Sequence, residues 1–383
     1  MSDAVVIISA KRTPMGNFGG AYKEIAAPLL GAHAIKAVME ETALSAKKID
    51  AVYMGCVLTA GLGQAPARQA AHHAQLSDHT PCVTINKMCG SGMQSVIYAV
   101  HEIAAGVADI IIAGGMENMS RAPYLLPGAR FGYRFGNAIT EDHLLLDGLT
   151  NAYDDHLSMG QIAEIAVKKF HFDRKMQDDF AIESIQRAKK ATESGLFRDE
   201  IAPYLISSDE GIAKANLEKI PQLKPSFAKD GTITAANASS ISDGAAALLL
   251  MRASIAEKNK LTPIAKIIGD VVVATRSDCF PEAPITAIET LLKKINWTID
   301  TVDLFEINEA FAAVTMAAMK TLSIPHGKVN VHGGACILGH PIGASGARIL
   351  VTLIHALKQQ HKKRGIATIC IGGGEAAAIA IEV

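Results

Sequence analysis

The chain has 383 residues, 49% of them hydrophobic, with 32 glycines and a formal net charge of -1. That length predicts more than one packed unit, and the composition fits a well-buried α/β protein and excludes a disordered chain. A charge near zero gives no support for nucleic acid as the main partner, and no apolar run reaches the roughly 20 residues of a membrane span.

Val5-Val6-Ile7-Ile8 reads as the first strand, with no basic region or cleavable signal ahead of it. Lys11-Arg12-Thr13-Pro14 follows where a dinucleotide fold would place GxGxxG, and no Walker-type lysine occurs, so nucleotide folds are disfavoured. Ile49-Asp50-Ala51-Val52-Tyr53-Met54 is a second strand after a helix. Gly90-Ser91-Gly92 opens a helical run through Val96, Val100 and Ile103, and a strand over 109–115 follows it.

The same order recurs late in the chain. Val302-Asp303-Leu304-Phe305-Glu306-Ile307 answers the strand at 49–54. Gly343-Ala344-Ser345-Gly346 opens a helix through Leu350, Leu353, Ile354 and Leu357, and this leads to the strand ending at Cys370. One small insertion reconciles the two spacings. Continuous apolar strands alternating with helices predict mainly parallel sheets buried on both faces, in two similar α/β halves packed together.

Between the halves, residues 119–242 read differently. Pro123, Pro127, Gly128, Gly132 and Gly136 punctuate a loop. A helical region over 159–194 follows, and then a loop with Pro203, Pro221 and Pro225. The predicted division is 1–118 with 243–265 as one half, 119–242 as an inserted loop domain, and 266–383 as the other half. Long loops on rigid scaffolds often carry binding function.

Cys56, Cys82, Cys89, Cys279, Cys336 and Cys370 show neither CxxC pairing nor zinc-ligand spacing. No disulfide framework or metal site is expected, and a reducing, cytoplasmic-type compartment is the simplest reading. Two of these cysteines sit beside glycine-rich backbone. Cys89 precedes Gly90-Ser91-Gly92 and a helix, whose dipole favours a thiolate; packing a turn is the bland alternative. Cys370 precedes Gly372-Gly373-Gly374, whose N–H groups can approach an anion closely; the same glycines also suit a tight turn. His340, in Gly339-His340-Pro341, can serve as base to a thiol or simply bond a backbone carbonyl. The other histidines, His355 and His361 among them, take a structural or surface reading. Asn308, in Asn308-Glu309-Ala310-Phe311, can hold a water or donate to an oxyanion, or cap a helix. Two cysteines, a histidine and an amide suggest acyl chemistry on a carbon acid.

Taken in order, the segments NKMCGSG, NEAFA, GGACILGHPIGASGAR and CIGGG resemble the thiolase family, from Arg12-Thr13-Pro14 to the C-terminus. The resemblance implies two βαβαβαββ halves in a five-layered αβαβα fold, with the loop domain receiving coenzyme A. It implies that Cys89 is acylated and activated by His340. His340 and a water on Asn308 would stabilise a thioester enolate, and Cys370 would move the α-proton. The N–H groups of Cys89 and Gly372 would form a second oxyanion hole. Ser239, Phe227, Ala235, Ala238, Leu149, Met159, Ala310 and Phe311 would line the coenzyme A site, and Phe280 would face the acyl group and limit its length.

The implied reaction is reversible condensation of two acetyl-CoA to acetoacetyl-CoA and CoA, with acyl-CoA thioesters as substrates and no permanently bound cofactor. A broader-range 3-ketoacyl-CoA thiolase of fatty-acid degradation is the nearest rival. A non-catalytic acyl-CoA-binding scaffold is the reading from another class. The family's His-Met-Gly is replaced by His156-Leu157-Ser158-Met159-Gly160, Glu375-Ala376 follows the three glycines, and the segment 207–219 is short. The apolar loop 121–140 resembles a tetramerisation loop, so a homotetramer or homodimer is expected.

Overall fold

A computed structural model of the chain describes residues 3–153 and 156–383. The strands that matter for the site are β1 (Val5–Arg12), β2 (Ala51–Gly55), β3 (Cys82–Ile85), β4 (Ile110–Asn118), β5 (Ser242–Arg252), β6 (Ala265–Ala274), β7 (Leu304–Ile307), β8 (Arg364–Ile371) and β9 (Glu375–Glu382). They lie in the order β7-β8-β9-β6-β1-β5-β4-β2-β3. The join between the halves is thin: β1 and β6 pair only through Val6 with Lys266 and Ile7 with Ala265.

The expectation of mainly parallel sheets is corrected. β2 runs parallel to β3 and β4, and β7 runs parallel to β8. β5 is antiparallel to β4 and β1, and β9 is antiparallel to β8 and β6. Helices cover both faces of most of the sheet, so the antiparallel strands β5 and β9 are buried almost as continuously as the parallel ones. Burial alone does not reveal direction.

The longer helices are α1 (Ala27–Thr42), α2 (Pro66–His73), α3 (Ser91–Ala105), α4 (Met159–Phe170), α5 (Arg174–Glu193), α6 (Ala283–Ile295), α7 (Ala312–Leu322) and α8 (Ile342–Gln359). α3 and α8 pack on each other between the two halves of the sheet. α1 and α2 cover the outer face of one half, and α6 and α7 that of the other. This gives the five layers. α8 is buried on every side from Ile342 through Leu357, as a helix in the middle of a protein must be. Its polar side chains are therefore interior groups. His355, expected on the surface, is one of them, with Nε2 3.1 Å from the Ala10 carbonyl oxygen.

The internal repeat extends to hydrogen bonding. Asp50, before β2, accepts from the N–H groups of Asp109 and Ile110 at the start of β4. Asp303, before β7, accepts from those of Lys363 and Arg364 at the start of β8. Each aspartate ties a strand to the parallel neighbour that returns from the central helix.

Among the described residues, the segment between β4 and β5 adds no strand to the central sheet. It carries α4, α5 and loops, and a buried ion cluster anchors it. Arg12 on β1 donates Nε–H to Glu200 at 2.6 Å and both terminal nitrogens to Asp209 at 2.7 and 3.0 Å. All three side chains are fully buried, and deleting one partner of such a pair costs about 3–5 kcal/mol. The anchor fixes the inserted segment over the sheet.

Candidate active site

Cys89 lies in a tight turn between β3 and α3. Met88 takes a left-handed φ of 46°, and the turn closes through Gly90 N–H to the Lys87 carbonyl and Ser91 N–H to the Met88 carbonyl, both 3.0 Å. The Lys87 N–H also donates to Ser91 Oγ at 2.8 Å. This turn sits directly on the end of β8. A Cβ on Gly90 would come within 2.4 Å of Ile371 Cδ1, so a side chain there would have to displace the Ile371 tip. A Lys87–Glu375 ion pair also joins the Cys89 turn to the start of β9.

Cys370, next to Ile371, is buried and lies close enough to Cys89 to feel its charge. The chain then turns through Gly373 and Gly374, at φ 95° and 89°. The N–H groups of Gly372 and of Cys89 itself both face the Cys89 sulfur and favour its anion. The backbone donors paired from the sequence therefore converge on one atom.

The expected thiolate at Cys89 is corrected for the resting protein. Burial pushes the thiol up to about 11, outweighing the two backbone donors that favour the anion. Cys89 packs against the apolar wall of Val57, Leu58, Met119, Leu144 and Ile342 on one side and against the central core on the other. Cys370 is raised further, by burial first and by Cys89 second. His340 is driven down to about 3 by burial and by the Arg348 cation. The resting state is two thiols and a neutral imidazole.

His340 precedes α8 and is buried. Its Nδ1 lies 2.5 Å from Ser345 Oγ, while its Nε2, also buried, has no hydrogen-bond partner among the described residues. Asn308 follows β7. Its N–H donates to the Thr368 carbonyl oxygen, and its Oδ1 accepts from Arg348 Nη2 at 3.5 Å. Its Nδ2 is likewise buried and without a partner among the described residues. The helix-cap alternative fails: the residue before α7 is Phe311, and no side chain caps it. Glu309 braces the segment by accepting from Ser184 Oγ, Asn330 Nδ2 and the Cys336 N–H at 2.8 to 3.0 Å. Two unpaired buried donors or acceptors are costly, and a polar substrate atom or water would relieve them.

A cavity of about 710 Å³ leads to His340. Phe227, Ala235, Ala238, Ser239, Leu149, Met159 and Phe311 all line it. Ala310, expected with them, does not; it lies behind the wall, where its carbonyl accepts from the Ser239 N–H at 3.0 Å. Phe227 and Phe311 meet edge to face at 5.9 Å, and Gly160 leaves room for the Phe227 ring. Ser158 lines the cavity but is occupied as the N-cap of α4, in a capping box with Gln161. His156 is exposed and lines no part of it. Phe280 is corrected as well: it packs in the outer core beneath Phe311, at 6.4 Å between ring centroids, away from the cavity lining. Its neighbour Pro281 is buried with it inside the short 3-10 helix Ser277–Glu282.

Three contributors escaped the sequence reading. Glu117, at the end of β4, accepts from the N–H groups of Val57, Leu58 and Gly343 at 2.9 to 3.1 Å, and so ties the His340 segment to the Cys89 half. Burial raises its carboxyl to about 7. Ser345 and Arg348 project from α8 onto His340 and Asn308. Their positions inside the GASGAR run were visible, but nothing in the run reveals which groups they meet. Among the described residues, no group of three or more His, Cys, Asp or Glu is placed to hold a metal ion.

A five-layered α/β scaffold that brings two cysteine loops together and buries a histidine in the lining of a large cavity defines an acyl-transfer enzyme. Residues 5–254 match the thiolase N-terminal domain and residues 261–383 the thiolase C-terminal domain. The chain belongs to the thiolase family. An acetyl-CoA acetyltransferase of Chromobacterium violaceum is 46% identical over 99% of both chains. A probable acetyl-CoA acyltransferase of Staphylococcus epidermidis is 44% identical over 98% of both. Among solved structures, the acetyl-CoA acetyltransferase of Bacillus anthracis superposes with a TM-score of 0.97 at 38% identity, covering 100% of this chain and 99% of that one. A thiolase from Ascaris suum in complex with coenzyme A gives 0.95 at 40% identity, covering 99% of each.

Proposed function

We propose that this chain is an acetyl-CoA acetyltransferase that interconverts two acetyl-CoA with acetoacetyl-CoA and CoA through acetyl-Cys89. The observation that carries the reading is the pair of neighbouring thiols, Cys370 buried and Cys89 half-buried with two backbone donors facing it, together with the unpartnered Nε2 of His340 and Nδ2 of Asn308. In the first half-reaction His340 takes the Cys89 proton on Nε2, and the sulfur attacks the thioester carbonyl. The tetrahedral oxyanion is held by the N–H groups of Cys89 and Gly372. Cys370 protonates the departing CoA sulfur and becomes a thiolate. In the second half-reaction that thiolate takes the α-proton of another acetyl-CoA. The enolate oxygen is held by His340 and a water on Asn308, and its carbon attacks acetyl-Cys89. The released Cys89 sulfur recovers its proton from His340. A buried thiolate is a strong base, which is what a weakly acidic α-carbon demands.

The coenzyme A arm is assigned to the cavity lined by Phe227, Ser239, Met159 and Phe311, and residues 119–242 are assigned as the loop domain. All six cysteines are free, which supports a reducing, cytoplasmic compartment.

Short substrates are expected. The wall of Val57, Leu58, Leu144 and Ile342 around Cys89 is closely packed, and packed sites reject added volume more strongly than they exploit vacancy. In thiolysis, kcat/KM should be highest for acetoacetyl-CoA and poor for 3-ketodecanoyl-CoA. Initial rates across 3-ketoacyl chain lengths decide this. A higher value for the C10 substrate would favour the broader-range degradative reading, and no thiolysis at any length would favour the binding scaffold.

The loop after β4 supports self-association. Phe131, Phe135 and Ile139 are almost fully exposed, at 88%, 104% and 74%, and such a surface calls for a partner. A homotetramer is the expected state. Light scattering at micromolar concentration that returned a single 40.4 kDa chain would exclude both tetramer and dimer.

A further inference from the structure

We propose that Glu117 is a positioning residue that sets how long an acyl group Cys89 can carry. This rests on the acetyl-transfer function proposed above and names what enforces its preference for short chains. Glu117 lies near the end of β4 and is fully buried. Its Oε2 accepts from the N–H groups of Val57 at 3.0 Å and Gly343 at 2.9 Å. Its Oε1 accepts from the Leu58 N–H at 3.1 Å, with the Cys56 thiol at 3.7 Å. One carboxylate thus straps the segment after β2 to the first turn of α8.

The strapped segments carry the wall against which Cys89 packs. Val57 and Leu58 supply one side of it, and Ile342, the neighbour of Gly343, supplies the other. Leu58 Cδ2 and Ile342 Cδ1 both lie 3.4 Å from where a Cβ on Gly148 would stand, so the two sides close on one point. A longer acyl group on the Cys89 sulfur has to part these side chains. That is cheap where the backbone behind them yields and costly where it is held. Here it is held. A Cβ on Gly343 would come within 2.6 Å of Glu117 Oε2 and 2.9 Å of the Met116 carbonyl oxygen, which leaves the α8 start no slack.

The chemistry of the strap explains the residue type. Three N–H donors converge, and an acceptor-only group with two oxygens takes all of them. An amide would turn its NH₂ on one donor, and an apolar side chain would strand all three. Glu117 is absent from the cavity lining, and the acetyl-transfer steps give it no proton to move. Its influence on substrate therefore passes through the wall.

The test is thiolysis by the full-length enzyme. Acetoacetyl-CoA leaves acetyl on Cys89 and 3-ketohexanoyl-CoA leaves butyryl, so the ratio of their kcat/KM values reads the wall. Glu117→Ala cuts the strap and should shift that ratio about 10-fold towards the longer chain, within what one methylene can carry, with KM for CoA close to wild type. Glu117→Gln keeps the Val57–Gly343 bridge when its oxygen takes the Oε2 place, and should shift the ratio only about 3-fold. Asp303→Ala unties the clamp at the start of β7; it should lower the melting temperature and leave the ratio alone. Rates that fall in parallel for both substrates in Glu117→Ala, or an equal shift in Asp303→Ala, would overturn the role. If Glu117→Ala does not fold, the Gln variant decides, and an unchanged ratio there overturns it. Wild-type enzyme that prefers 3-ketohexanoyl-CoA, or cleaves neither substrate, would instead overturn the acetyltransferase reading, before any variant is made.

Discussion

Replacing Cys89 by alanine should abolish acetyl transfer and condensation together, by roughly 10⁴-fold or more, since losing a covalent nucleophile removes the whole route. The wild-type protein incubated with acetyl-CoA should gain one acetyl group, and peptide mapping should place it on Cys89. The variant should gain none while keeping its fold, because the side chain is partly buried and small. The resting thiol at about 11 adds a pH signature. A raised pKa means that the thiolate is the minor form at neutrality and grows as pH rises. Alkylation of Cys89 in free enzyme should therefore accelerate steadily from pH 7 towards pH 10, without the plateau near neutrality that a thiol acidified by a helix dipole would give. Acetylation mapped to another cysteine, or alkylation that levels off by pH 7, would remove Cys89 from its assigned role.

The difference between the thiolate expected from the helix start and the thiol that burial favours shows what local sequence can carry. Gly90-Ser91-Gly92 announces a helix start, and the helix begins at Ser91. The surroundings of Cys89 are instead built by the central core and by Val57, Leu58, Met119, Leu144 and Ile342, which come from four distant segments. Desolvation is a property of the assembled site. The same holds for Phe280, whose ring lies under Phe311 rather than beside the substrate.

Elements repeated within the chain were the most legible. The correspondence of 49–54 with 302–307 emerged as β2 and β7, in equivalent places and with equivalent aspartate clamps. Strand direction was not legible, because helices on both faces hide the alternation that marks an antiparallel strand. For the site, the residues with an unusual neighbourhood in sequence could be named: Cys89, His340, Cys370 and Asn308. Those that orient them could not. Ser345 and Arg348 look like ordinary small and basic positions of a helix until burial of α8 turns both inward, and Glu117 is an acid in an apolar run whose three N–H partners lie at 57, 58 and 343.

Changing Cys370 to serine should separate the two half-reactions. Acetyl-Cys89 should still form, because the CoA sulfur is a thiol of ordinary acidity, near 8.5, and can depart as a thiolate without an acid catalyst. Condensation should fall by about 10²–10⁴-fold, the usual contribution of a positioned acid–base group. Serine keeps the size and hydrogen bonding of cysteine, so the fold and the Gly372 turn are preserved. Its hydroxyl is a far weaker acid than the thiol, and its conjugate base is not accessible near neutral pH. Burial already holds the Cys370 thiol well above its ordinary value, so the thiolate left by the first half-reaction is strongly basic and suited to a reluctant carbon acid. Two measurements on one sample make the separation visible. Mass spectrometry should find the acetyl group on the Cys370→Ser protein, while exchange of the acetyl-CoA methyl hydrogens with D₂O should fall in step with condensation. Near wild-type condensation in this variant, or methyl exchange that persists while condensation is lost, would mean that the α-proton is taken by another group.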